Sequence, residues 1–216
     1  MTLAPPSPSA VLQPLQLPWD LRLTADQFER VCQANPDAVL ELSADGHLIA
    51  MTPTGSETGA RNNELLFQLT QLSKAARTWT VFDSSSGFRL PDGSVLSPDA
   101  SLVRLERWQA LSPEQRRSFA PLCPDLVVEL ASASDAPGGA PCGEGPRGLT
   151  ALRRKMDAYL ANGAQLGWLL LPEERAVEIW RAGAAANPER RDNATSLDGG
   201  ELFSGLTLDL GPIWDV

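Results

Sequence analysis

The segment PDLVVEL at 124–130 limits the fold more than any other part of the chain. Leu126, Val127, Val128 and Leu130 would point to both faces of a strand, and a run apolar on both faces belongs to a central strand covered on each side. Glu129 lies inside that run. A carboxylate there costs several kcal/mol unless it is paired or holds a cation, so the surrounding fold has to supply a counter-charge.

A second strand repeats the pattern. In SPDASLV at 97–103, Asp99 opens an otherwise apolar segment. Two carboxylates at the ends of neighbouring central strands make a divalent-cation site. Oxygen ligands with retained waters suit Mg²⁺, and Mn²⁺ is compatible with the same set.

The remaining elements give an α/β layered domain. Thr24 is placed as the N-cap of a helix over 24–34, with Phe28, Val31 and Cys32 on its apolar stripe. A hairpin then turns at Asp45-Gly46. Leu65, Leu66, Leu69, Leu72 and Ala76 are spaced for a long helix over 57–77. Strands are expected at 79–83, near 87–90 and at 97–103, followed by a polar, partly helical excursion at 104–120. After PDLVVEL comes an Ala/Pro/Gly-rich loop at 131–147, then a helix over 149–162 closed by Asn162-Gly163. QLGWLLL, a PEER turn, AVEIWR, a variable stretch at 183–199 and ELFSGLTLDL complete a β-rich C-terminal part. Helices flanking a mixed sheet are the expected architecture, with extra β-hairpins. Residues 1–19 hold five of the 18 prolines and read as an extended arm; 20–216 read as one domain.

On the 149–162 helix, Leu149, Leu152, Met156, Tyr159 and Leu160 form the buried face. Lys155 stands at its edge, from where its ammonium can swing toward the sheet. Each candidate also has a plain packing alternative. Asp99 after Pro98 suits a turn that opens a strand, Glu129 could pair with a structural arginine, and helix lysines commonly snorkel to solvent. His47, the single histidine, follows a turn and reads as a solvent-facing residue, which argues against a histidine-based triad. GSETG lacks the lysine of a phosphate-binding loop.

Cys32, Cys123 and Cys142 are odd in number and form no CxxC pair, which speaks against a disulfide framework or thiolate zinc site and for a reducing, cytoplasmic setting. No secretory signal and no run of about 18 apolar residues is present. The net charge of −9 opposes binding to a phosphate backbone, which needs lysine and arginine.

Taken together, ELSADGHLIAMTPTGSETGARN, SPDAS, CPDLVVEL, KMDAYLANG, LGWLLLPEERAVEIWR and GGELFSGLTLDLGPIW resemble the Uma family of restriction endonucleases over about residues 20–216. The resemblance implies a PD-(D/E)XK nuclease core ordered α-β-β-β-α-β and Mg²⁺-dependent hydrolysis of DNA phosphodiester bonds. Asp99 and Glu129 match the two acidic positions and would ligate the metal. The lysine two residues after the second acid is replaced by Ala131, and the resemblance moves that role to Lys155. Glu41 matches a further acidic position and is implied as an additional metal or water ligand. By the same resemblance, Asn62 or Asn63 stands in place of a histidine and Leu171 in place of an aspartate. A homodimer is implied by analogy with nucleases that cut both strands. The rival expectation is a catalytically degenerate domain that binds or regulates, supported by the charge and by Ala131. The two differ in the surface around Asp99: a basic rim from Arg61, Arg89, Arg147 and Arg153 would favour nucleic acid.

Overall fold

The computed structural model describes residues 18, 20–51, 53–135, 148–184 and 187–216. All of the proline-rich arm but Pro18, most of the 131–147 loop and Arg147 lie outside the described residues.

Helix α1 (Ala25–Ala34) starts with a reciprocal capping box between Thr24 and Gln27. The hairpin β1 (Leu40–Leu42) and β2 (Leu48–Ala50) turns where Asp45-Gly46 predicts, with Gly46 at φ +84°. Helix α2 (Ser56–Ala76) ends at Arg77, in the left-handed region. Strands β3 (Trp79–Asp83), β4 (Phe88–Arg89), β5 (Val95–Leu96) and β6 (Ala100–Arg104) follow. The polar excursion holds two short helices, α3 (Leu105–Ala110) and α4 (Pro113–Arg117), the latter capped by Ser112 and Gln115. Strand β7 (Leu126–Leu130), helix α5 (Leu149–Ala161), and strands β8 (Leu166–Leu171) and β9 (Ala176–Arg181) complete the centre of the domain. The C-terminal part carries β10 (Glu189–Asp192), β11 (Ser196–Asp198), β12 (Thr207–Asp209) and the short α6 (Gly211–Trp214).

A six-stranded mixed sheet in the order β10-β9-β8-β7-β6-β3 forms the core. β6 runs antiparallel to β7, and β7 runs parallel to β8 through the α5 crossover. The series α2, β3, β6, β7, α5, β8 reproduces the α-β-β-β-α-β order. One expectation needs correction. The stretch 183–199 contains β10 and β11. β10 reads ERRD, with no apolar residue, because it is an exposed edge held by its ladder to β9 and by ion pairs rather than by burial.

Alternation along the central strands fixes which side chain faces what. Leu126, Val128 and Leu130 of β7 join Leu65 and Leu69 of α2 in one cluster, together with Trp168 of β8 and the C-terminal Leu208 and Ile213. Val127 and Ala131 point the other way, toward Met156 and Tyr159 of α5. Period-two geometry therefore sets Glu129 on the α5 side of the sheet. A second sheet, β2-β1-β5-β4, packs Leu42 and Val95 against Phe28 of α1. It carries Glu41 toward the end of β7.

Candidate active site

The antiparallel β6–β7 ladder brings the two acidic strand ends together. Ala100 pairs with Val128, so Asp99, one residue before β6, lies beside the last residues of β7. Its Oδ2 accepts the Leu130 amide at 2.8 Å, and Asn62 of α2 hydrogen-bonds the same carboxylate. The Asn62 Oδ1 is buried without a protein partner. Glu129 is 3% exposed.

Lys155 does not snorkel outward. Its Nζ lies 2.9 Å from Glu129 Oε1, 2.8 Å from Glu41 Oε1 and 2.9 Å from the Ser97 carbonyl oxygen. Three acceptors use the whole donor capacity of an ammonium group. The Lys155 side chain is 12% exposed, and those of Glu41 and Glu129 are 5% and 4% exposed. Glu41 Oε1 also accepts the Ser97 amide at 2.7 Å, so the residue before Pro98 binds the lysine and its counter-ion together.

Burial pushes the Glu129 carboxyl up to about 8, against the pull of Lys155 and with a further push from Asp99 and Glu41. Burial likewise raises Asp99, opposed by the Leu130 amide and Lys155. Burial alone would lower Lys155, but Glu129 and Glu41 outweigh it and hold the ammonium above the ordinary lysine range. Tyr159, one turn after Lys155, is raised by burial and then by Glu129, and its neutral hydroxyl donates to Glu129 Oε1 at 3.3 Å.

The structure thus brings Glu41, Asp99, Glu129 and Lys155 into one buried cluster. Sequence reasoning missed three contributors: the Ser97 backbone, the Asn62 contact and the Tyr159 hydroxyl. Tyr159 left a signal, since a buried tyrosine on the lysine's helix face needs a partner for its hydroxyl, and the resemblance had marked Asn62 or Asn63 as standing in place of a histidine. Glu41 makes its close contacts with Lys155 and the Ser97 amide. Among the described residues no group of three or more His, Cys, Asp or Glu is arranged to hold a metal ion. A two-carboxylate set is what Mg²⁺ commonly takes from a protein, with waters filling the remaining positions. Asp99 and Glu129 fit that need. With all three carboxyl groups ionised the cluster would hold three negative charges against one ammonium, and a divalent cation would bring it to neutrality. The orphaned Asn62 Oδ1 is a further oxygen beside Asp99 for an ion-bound water.

Of the expected basic rim, the three described arginines are not free. Arg61 pairs with Glu57 at 2.6 Å and Glu173 at 3.3 Å, and Arg89 pairs with Asp26 at 2.6 Å. Arg153 makes two bonds to Glu178, at 2.8 and 2.6 Å. His47 pairs with Asp45 in the hairpin turn.

Residues 25–211 match the model of the Uma2 family, described as "Putative restriction endonuclease". The chain belongs to the Uma2 family. A solved structure similar to this Uma2 chain is described as a putative nuclease belonging to DUF820 from Anabaena variabilis. It is 22% identical, with a TM-score of 0.67 over 89% of this chain and 97% of the other. At that identity the likeness establishes the shared fold. No curated protein matches the chain.

Proposed function

We propose that this Uma2 protein is a metal-dependent nuclease that hydrolyses phosphodiester bonds of DNA. The carrying observation is Lys155 buried between Glu41 and Glu129 with Asp99 alongside. A buried ion cluster is weak support for stability, since well-packed apolar residues often serve as well or better. Groups whose ionisation is shifted by burial and by specific charged neighbours gather at working sites. The family match and the described nuclease neighbour point the same way.

In this reading Asp99 and Glu129 hold Mg²⁺ or Mn²⁺. The ion, when bound, polarises the phosphate and lowers the pKa of its water. Lys155 stabilises negative charge developing on the phosphate from a water-poor site, where a fixed ammonium is worth more than in bulk water. Glu41 and the Ser97 carbonyl fix the lysine, and Tyr159 orients Glu129. Two copies of the chain would provide one site per strand of a duplex.

The test is cleavage of a mixed panel of supercoiled, duplex and single-stranded DNA with Mg²⁺ or Mn²⁺, by wild type and Asp99→Asn. Metal-dependent cutting lost in the variant supports the reading. Absence of Mn²⁺ binding by wild type in calorimetry ends it. The second reading, a non-catalytic binding domain, is favoured by one observation: Arg61, Arg89 and Arg153 are each already neutralised by carboxylates. Mn²⁺ binding without cleavage of any substrate would select it.

A further inference from the structure

Resting on the nuclease reading, we infer that Glu178 of β9, acting through Arg153, is a positioning residue that fixes the roll of α5 and so holds Lys155 at the site. Leu169 of β8 pairs with Glu129 on one side and with Glu178 on the other. Paired residues share a face of the sheet, so the two glutamates stand in one row on the α5 side, two strands or about 10 Å apart. Glu178 is 4% exposed. Arg153 donates to both of its carboxylate oxygens, at 2.8 and 2.6 Å, and Arg190 of β10 adds a looser contact at 3.5 Å. At about 100° per residue, Arg153 and Lys155 leave α5 on opposite flanks of the face that carries Met156 and Tyr159. One side chain is tied to β9 and the other to β7, with the helix lying over β8 between them.

The β9 flank is reinforced by Trp180, whose Nε1 donates to Asp157 at 2.9 Å. Apolar packing is non-directional, so on its own it resists rotation of a helix about its axis less than separation from the sheet. A bidentate guanidinium–carboxylate pair fixes distance and angle together. The Lys155 ammonium stands roughly 6 Å from the helix axis, so a roll of about 10° carries it about 1 Å. Its three acceptors lie at 2.8 to 2.9 Å, and a misplacement of that size costs up to about a hundredfold in rate. Stability alone does not require the pair. Ala176 and Trp180, on the same face of β9, already pack on that side, and an apolar residue at 178 would continue their row. Well-packed apolar residues replace buried ion pairs at little or no cost. What they do not replace is the fixed angle.

Lys74 and Lys155 are the two lysines of the chain, and Lys74 is exposed. Isotopic labelling of lysine nitrogen therefore gives two ammonium signals in magnetic resonance, one from the site and one from the surface. The variant Arg153→Met/Glu178→Leu removes both charges and keeps the row apolar, and it should hold the urea midpoint of wild type. In wild type the Lys155 ammonium is protected from hydrogen exchange by its three acceptors. In the double variant it should shift and exchange faster, with Lys74 unchanged. Metal-dependent DNA cleavage should lose about tenfold to a hundredfold in kcat, while KM and Mn²⁺ affinity are retained because Asp99 and Glu129 are untouched. An unmoved Lys155 signal in the folded double variant, a kcat equal to wild type, or a loss confined to KM overturns the inference. Where circular dichroism shows the double variant unfolded, Glu178→Gln, which keeps the shape and one acceptor for Arg153, carries the same readouts. A wild type that neither binds Mn²⁺ nor cuts DNA ends the nuclease reading alone, and the two lysine signals then decide the positioning by themselves.

Discussion

Replacing Lys155 with methionine removes the ammonium that three acceptors share, while keeping most of the side-chain volume. Glu41 and Glu129 then face each other in the interior without a counter-charge. At pH 7 Glu129 already carries a proton, because its carboxyl is raised to about 8. A further carboxyl of the cluster must therefore take up a proton for the variant to fold. Protonating a group of ordinary pKa near 4.3 at pH 7 costs about 1.36 kcal/mol for each of roughly 2.7 units, or about 3.7 kcal/mol. That agrees with the ~3–5 kcal/mol typical of breaking a buried pair. At pH 5 the same term falls to about 1 kcal/mol. The folded variant binds more protons than its unfolded chain, so its deficit relative to wild type grows as pH rises. Urea unfolding followed by circular dichroism at pH 5, 6 and 7 measures the difference directly. A deficit below about 1 kcal/mol at pH 7, or one that stays flat over this range, would refute the account of Lys155 as the neutralising centre of a buried cluster.

Three further outcomes are expected. Glu129 is raised in the folded state from an ordinary 4.5 to about 8, so its contribution to stability is full below 4.5 and is lost as pH rises to about 8. Glu129→Gln removes this dependence, and its stability relative to wild type should climb by up to about 1.4 kcal/mol per pH unit within that window; parallel urea midpoints would contradict it. If Asp99 and Glu129 hold the proposed ion, Mn²⁺ would have to displace the Glu129 proton, so calorimetry should show tighter binding at pH 8 than at pH 6.5, with proton release, and Asp99→Asn should abolish it. An affinity independent of pH would count against Glu129 as a ligand. In Gly167→Ala the new Cβ would meet Met156 Cε at 2.5 Å and Leu160 Cδ2 at 3.3 Å. Met156 is fully buried, so its terminal methyl would have to repack within the core, and overpacking should cost about 1–3 kcal/mol in thermal or urea unfolding.

The sequence by itself determined the central strands and the need for a charge partner. PDLVVEL announces a central strand because it is apolar on both faces, and Glu129 within it announces an interior carboxylate. Thr24, Asp45-Gly46 and Asn162-Gly163 mark element boundaries through local backbone chemistry that needs no tertiary context. The resemblance supplied Lys155 and Glu41, whose helix and hairpin positions only permit their roles. Tertiary structure decided how these pieces meet. The antiparallel β6–β7 register sets Asp99 beside the end of β7, and strand alternation turns Glu129 toward α5 and not toward α2. The second sheet then delivers Glu41 and the Ser97 backbone to the lysine from more than fifty residues away. The arginines show the same division. Their charge is legible in the chain, but their availability depends on carboxylates at Asp26, Glu57, Glu173 and Glu178, brought alongside by helix spacing and by folding. Local sequence fixes what each segment prefers, while the register between distant segments fixes which charges share a low-dielectric interior and so which of them are left to act on a ligand.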